Sequence, residues 1–163
     1  MALSDYEQSI VDNVAEHGWF CVTVFGDEPH DTFAYSVGFG ATLDAPECIV
    51  FGLPSELMHG MLWSVFRKLE GGAELADGQR WPGLIEGFDC IARPVHPTQI
   101  SREYFNSALW YWGDPAERGE AMRAFQFVWP GVQQGLFPWE PGCNEFVIEC
   151  QPALYLPREG ESA

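Results

Sequence analysis

Basic residues are scarce in this sequence of 163 residues. Eight Lys and Arg stand against 24 Asp and Glu, which gives a formal net charge of −16. Nucleic-acid phosphates and anionic lipids are bound by clustered Lys and Arg, so we expect contact with neither nucleic acid nor a membrane. Two explanations of the negative charge stay open, a basic protein partner and simple solubility.

The common motifs of metal binding and catalysis are absent. No Cys-x-x-Cys or His-Glu-x-x-His sequence occurs, and the four His have no ligand-like spacing. We therefore expect no metal. The sequence also has no Gly-x-Ser-x-Gly nucleophile elbow and no glycine-rich phosphate loop. Cofactors and catalytic residues are unknown. The question of an enzyme stays open because catalytic groups can converge in space from distant positions.

Signals for export and for disulfide bonding are missing as well. The first residues, MALSDYEQS, contain no basic region followed by an apolar run. No apolar stretch approaches the length that spans a membrane. The five Cys are irregularly spaced, which argues against a disulfide framework. We therefore expect a cytoplasmic protein.

Apolar residues, in contrast, are abundant. Hydrophobic residues make up 47% of the chain and aromatic residues 15%, enough for one domain with a sizeable core. The stretch 32–40 alternates between bulky residues (Phe33, Tyr35, Val37, Phe39) and small ones (Ala34, Ser36, Gly38, Gly40), which predicts a strand. Residues 48–53 are apolar on both faces and predict a buried central strand.

Local patterns predict the remaining elements. A Ser4–Glu7 capping box predicts a helix over 5–17, and apolar periodicity predicts helices over 54–71 and 100–112. Further strands are expected at 19–25, 88–93, 124–129 and 144–150, with loops at 73–83 and 130–142. These elements predict a single α+β domain over 1–157 and a frayed tail over 158–163. We expect a mainly antiparallel, curved sheet of five or six strands with two or three helices packed on it.

Several segments, in this order, resemble the bacterial domain-of-unknown-function family DUF4262. They are HGW at 17–19, FAYSVG at 33–38, PE at 46–47, VFGL at 50–53, QFVWP at 126–130 and GLFPWE at 135–140. The resemblance covers about residues 14–149 and implies no established activity. Two positions depart from the family pattern: Gly131 stands where an acidic residue usually follows Trp-Pro, and Ala45 stands where a His often precedes Pro-Glu.

The long loop after residue 129 is the strongest candidate for a site. Its three Pro and three Gly forbid a regular element, and loops of this length are often functional. If it folds over the hairpin that carries Tyr35, aromatic walls and a few polar groups would form a small-molecule pocket. A cationic ligand would suit Trp faces beside a carboxylate. The predicted ligand-binding residues are Tyr35, Ser36, Gln126, Trp129, Phe137, Trp139 and Glu140. The alternative is that the loop is only structural, with Gln126 bound to the backbone.

Three functions follow from these features. The first is a domain that binds a small ligand between the Tyr35 hairpin and the Trp129–Glu140 loop. The second is an acidic immunity or adaptor protein that binds a basic protein partner, for which acidic segments at 27–31, 70–77 and 114–120 are candidates. The third is an enzyme that acts on a small molecule in the same pocket. The sequence predicts no oligomeric state.

Overall fold

A computed structural model describes residues 2–27 and 32–158 of the chain. In these ranges, six strands form one sheet with the order β1-β2-β3-β6-β5-β4. The strands are β1 Phe20–Val24, β2 Phe33–Val37, β3 Glu47–Phe51, β4 Gln79–Ile85, β5 Phe88–Pro94 and β6 Ala124–Val128. Strands β3 and β6 run parallel, and the other four pairings are antiparallel. The sheet is therefore mixed.

Six helices occur in the described ranges, more than the two or three that we predicted. They are α1 Asp5–His17, α2 Phe39–Leu43, α3 Ser55–Glu70, α4 Arg102–Trp112, α5 Pro115–Arg118 and α6 Glu145–Cys150, with a 3-10 turn at Pro97–Gln99. None of these helices combines the length and the apolar character needed to cross a bilayer.

The predicted start of α1 is confirmed in atomic detail. The Ser4 side chain accepts a hydrogen bond from the Glu7 amide at 3.1 Å, and the Glu7 carboxylate accepts one from the Ser4 amide at 3.0 Å. The helix ends at Gly18, whose φ of 92° lies in the left-handed region that glycine favours. The sequence thus determines both ends of this helix locally.

Helices cover both faces of the sheet and create two apolar cores. Helix α3 packs its buried residues, such as Leu62 and Phe66, on the face that carries Val50 and Phe127. On the opposite face, the core around Tyr35 includes residues of α1 and α4. Because both faces are covered, β2 and β3 are buried along their whole length, as expected for central strands.

Three predicted elements differ from the structure. The strand predicted over 32–40 ends at Val37, because Gly38 turns the chain at a φ of 105° and α2 begins at Phe39. The loop predicted over 73–83 contains the start of β4. The strand predicted over 144–150 is the helix α6, which the Asn144 side chain caps by accepting a hydrogen bond from the Phe146 amide at 2.8 Å.

The predicted frayed tail falls largely outside the described residues. Residues 159–163 are not described. Arg158, the first residue of the predicted tail, hydrogen bonds through its amide to Thr98 Oγ1 at 2.8 Å and through its guanidinium to Glu103 at 3.1 Å.

Candidate functional site

The loop over 130–142 has a compact fold of its own, held by hydrogen bonds between its residues. The Gly131 amide donates to the Leu136 carbonyl at 2.9 Å, and the Gly135 amide donates to the Gly131 carbonyl at 2.8 Å. The Glu140 carboxylate accepts from the Phe137 amide at 2.8 Å. The predicted site residue Glu140 thus stabilises a turn of the loop.

Trp129 anchors the beginning of this loop to the central sheet. Its indole Nε1 donates to the Phe51 carbonyl at 2.7 Å. Its backbone amide donates to Gln151 Oε1, and its carbonyl accepts from Gln151 Nε2, both at 2.9 Å. Gly52, beside it, has a φ of 76°, and a Cβ there would lie 2.8 Å from Cys150. Trp129, Gln151 and α6 therefore form a close-packed support for the loop.

Gln126 also binds backbone, as the structural interpretation of the loop expected. Its Nε2 donates to the Pro152 carbonyl at 2.8 Å, and its Oε1 accepts from the Leu154 amide at 3.1 Å. The Gln126 side chain is completely buried. It therefore fixes the segment after α6 against β6.

Trp139 of the loop and Tyr155 near the C-terminus lie beside a cation that the chain itself supplies. The rings of Phe137 and Trp139 stack with centroids 5.3 Å apart, and Tyr155 meets Trp139 edge-on at 5.5 Å. The Arg93 guanidinium lies 4.7 Å from the Trp139 ring and 4.4 Å from the Tyr155 ring, and its Nε pairs with Asp77 at 2.9 Å. Arg93 thus takes the place that we had considered for a cationic ligand.

The hairpin residues Tyr35 and Ser36 point to opposite faces of the sheet. The Tyr35 hydroxyl accepts a hydrogen bond from the Ser107 amide of α4 at 2.9 Å. On the other face, Ser36 Oγ donates to Glu47 Oε1 at 2.7 Å and accepts from the Cys48 amide at 2.9 Å. Both side chains are buried, so the structure does not bring them together with the loop in one cavity.

Glu47 is a buried carboxyl group whose partners all lie around α2. Besides Ser36, the amides of Phe39, Gly38 and Gly40 donate to its two oxygens at 3.1, 3.0 and 3.4 Å. Complete burial raises the pKa of Glu47 to about 7, and the four donors oppose this rise. Sequence analysis missed this cluster because Ser36 and Glu47 are joined only by strand pairing.

A cavity of about 410 Å³ lies between the loop and α6, and we call it the loop cavity. It is lined by Trp129, Gly131, Val132, Gln133, Gln134, Asn144, Phe146 and Val147. None of these eight residues is charged. Trp129 and Val147 are buried, whereas Val132 is 75% and Phe146 is 59% exposed. Of the predicted site residues, Trp129 alone is among them.

Most residues of the loop cavity were not predicted as site residues. The lining residues Asn144, Phe146 and Val147 were missed because a strand was predicted where α6 lies. Asn144 followed by Glu145 is nevertheless a typical helix start. Gly131, the position that departs from the family pattern, lies on the cavity wall, and a Cβ there would lie 3.2 Å from Val147. The other such position, Ala45, lines a separate cavity of about 530 Å³ together with Leu69 and Arg123.

The described residues contain no group of three or more His, Cys, Asp or Glu that could hold a metal ion. A smaller cavity of about 260 Å³ contains His17, His59, Trp63 and Cys21. Burial raises the pKa of Cys21 to about 11, which keeps its thiol protonated and weakly nucleophilic at neutral pH. All five Cys are free.

The fold and the cavity together define a small α+β domain with a mixed sheet, helices on both faces and an uncharged cavity between a loop and α6. The chain belongs to the family described as "Domain of unknown function (DUF4262)", whose model matches residues 13–144. The matched range includes all six strands and ends just before α6. Searches of curated proteins and of solved structures gave no significant match.

Proposed function

We propose that this protein binds a small, uncharged molecule in the loop cavity. The observation that carries the proposal is the composition of the cavity: an aromatic floor, apolar walls and amide side chains, with no charge. Its volume of about 410 Å³ falls in the range of about 300–1,000 Å³ that small-molecule sites occupy. Phe146 and Val132 are exposed at its rim. A ligand whose apolar group covers them would bind more tightly, because apolar surface is removed from water.

The polar groups of the loop cavity favour a ligand that accepts hydrogen bonds. Gln134 Oε1 accepts from the Asn144 amide, and Asn144 Oδ1 accepts from the Phe146 amide. Among the described residues the NH₂ groups of Gln134 and Asn144 have no hydrogen-bond partner, so both can donate to a ligand. A suitable ligand would have an apolar ring that packs against the apolar residues and a carbonyl or hydroxyl oxygen that accepts from the amide side chains.

Binding fits the lining better than catalysis does. None of the eight described lining residues has a side chain that titrates near neutral pH or acts as a nucleophile. The alternative function, a basic protein partner, rests on the net charge of −16 alone. Of the three acidic segments considered for it, residues 28–31 lie outside the described ranges.

Saturation-transfer NMR with three matched probes tests the proposal. Benzamide is neutral, benzamidine is its cationic analogue and benzoate is its anionic analogue. We expect benzamide to give the strongest transfer, because a charged group in an uncharged cavity loses hydration without gaining a partner. Equal or stronger transfer to a charged probe at this cavity would contradict the proposal.

Two alanine variants of α6 locate the binding site. Phe146→Ala removes an exposed cavity wall, and we expect it to weaken benzamide binding about fivefold, equivalent to roughly 1 kcal/mol of lost contact. Ile148→Ala is the matched control, because Ile148 is also apolar and exposed on α6 but does not line the cavity. If both variants bind benzamide as the parent chain does, the loop cavity is not the site.

A further inference from the structure

A further cavity, which shares no lining residue with the loop cavity, has a different chemistry. It has a volume of about 430 Å³ and lies among α4, α5, the end of β5 and the start of β6; we call it the apolar cleft. Its lining residues are Pro94, Val95, Pro97, Ile100, Leu109, Trp112, Pro115, Ala121, Met122, Arg123, Ala124 and Phe125. Eleven of these twelve side chains are apolar, and Arg123 is the single charged one.

The floor of the apolar cleft is preformed. Val95, Met122 and Ala124 are buried, and the Val95 amide donates to the Ala124 carbonyl at 2.8 Å. The Trp112 indole is fixed at the wall, because its Nε1 donates to the Glu120 carbonyl at 3.1 Å and the Arg118 guanidinium lies 4.0 Å from its ring. With its N–H group occupied, Trp112 presents only apolar surface to the cleft.

Arg123 contributes the only charge among the lining residues of the apolar cleft. Its backbone is fixed, since its carbonyl accepts from the Glu47 amide at 3.0 Å, and its side chain is exposed. Arg123 also lines the neighbouring cavity of about 530 Å³, whose walls include the carboxylates of Asp44 and Glu74. Among the described residues, however, no carboxylate forms an ion pair with the Arg123 guanidinium. A guanidinium without an ion-pair partner at the edge of an apolar surface suits an anionic head group on an apolar body.

We propose that the apolar cleft binds an amphipathic carboxylic acid, such as a medium-chain fatty acid. The hydrocarbon body packs against Met122 and Trp112, and the carboxylate pairs with the Arg123 guanidinium. Guanidinium and carboxylate match in a bidentate pair, which selects an acid over an alcohol or an amine of the same length. This site is independent of the loop cavity, and either one can exist without the other.

Methionine methyl NMR tests the location of the site. The sequence has four Met; Met122 lines the cleft, whereas Met58 and Met61 are buried on α3. We expect decanoate to shift the Met122 methyl signal and to leave those of Met58 and Met61 in place. The loop cavity has no Met in its lining, so binding there leaves Met122 unshifted. Decanoate that binds without shifting Met122 would overturn the proposal.

Calorimetry with decanoate, decanol and decylamine tests the chemistry. We expect decanoate to bind most tightly, with about a fourfold gain in affinity for each methylene from octanoate to decanoate. Decylamine that binds as tightly as decanoate would overturn the role of Arg123. An absence of saturable binding by decanoate below its micelle concentration would overturn the site itself.

Substitutions distinguish the contribution of the Arg123 charge to binding from that of the apolar surface. Arg123→Gln should weaken decanoate binding about tenfold or more, because a charged hydrogen-bonded pair is lost, and leave decanol binding unchanged. Arg102→Gln is the control, since Arg102 is an exposed arginine of α4 that does not line the cleft. Ala121→Trp should weaken both ligands by filling the entrance. Equal effects of Arg123→Gln and Arg102→Gln on decanoate would contradict the proposal.

Discussion

The two ends of β3 are fixed by buried polar groups of opposite kinds. At its start, the Glu47 carboxyl group collects hydrogen bonds from Ser36 and three amides of the turn into α2. At its end, the Phe51 carbonyl accepts from Trp129, whose own backbone pairs with the Gln151 amide. Both clusters tie an irregular segment to the same central strand. One uses an ionisable group and the other uses neutral groups only.

Because of this difference, we expect pH to affect the hydrogen bonds around α2 and not the loop cavity. Burial favours the protonated form of Glu47. The hydrogen bonds that its carboxyl group forms around α2 are therefore expected to change with pH. The Trp129–Gln151 cluster has no titrating group, and Trp129 is the floor of the loop cavity. We therefore expect ligand binding in the loop cavity to be constant over a pH range in which the folding stability changes.

The largest expected effect is on the neutral cluster. Gln151→Leu keeps the approximate volume and leaves the amide and the carbonyl of Trp129 without partners in a buried site. Each buried unpaired group costs roughly 1–3 kcal/mol, so we expect a loss of about 3 kcal/mol in the free energy of unfolding, measured by urea denaturation. Gln133→Leu, at an exposed position, should change it by less than about 0.5 kcal/mol. Similar values for the two variants would show that the Gln151 hydrogen bonds contribute little.

A smaller loss is expected at the ionisable cluster. At pH 5 the protonated Glu47 can donate its O–H to Ser36 Oγ while both of its oxygens still accept from the amides of the α2 turn. The NH₂ group of Glu47→Gln cannot accept, so at least one of these amides is left unpaired, which costs about 2 kcal/mol. Urea denaturation at pH 5 measures this loss. Glu149→Gln, at an exposed position of α6, is the control, and a Glu47→Gln variant as stable as this control would contradict the prediction.

The sequence predicted those parts of the fold that depend on local patterns. Helices α1 and α3 follow from a capping box and an apolar stripe, and both lie where they were predicted. Helix α6 was missed because Phe146, Ile148 and Cys150 alternate with other residues as in a strand. Its six residues are too few for helical periodicity to outweigh that alternation. The parallel pairing of β3 with β6 joins segments about 75 residues apart in the sequence, which no local pattern encodes.

The loop after Trp129 has no helix or strand, as its Pro and Gly content predicted, whereas the surroundings of its side chains were not predicted. The partners of its aromatic residues come from elsewhere in the chain, such as Arg93 from β5 and Gln151 from the end of α6. Trp129 and Trp139 are close in sequence but lie in different surroundings. Trp139 packs against Arg93, and Trp129 lines the loop cavity. That difference depends on tertiary packing, which local patterns do not encode.

The last expected effect is similar in size; it concerns pH and distinguishes burial from hydrogen bonding at Glu47. Burial raises the pKa of Glu47 from 4.5 to about 7 in the folded chain. The folded chain then retains a proton that the unfolded chain releases, so the stability due to Glu47 is fully present below pH 4.5 and is lost as the pH rises through 7. In urea denaturation, we expect the deficit of Glu47→Gln relative to the parent chain to shrink by about 2 kcal/mol between pH 5 and pH 8. Subtracting the two proteins cancels every other titrating group. If the deficit grows with pH instead, the four donors hold Glu47 ionised and outweigh its burial.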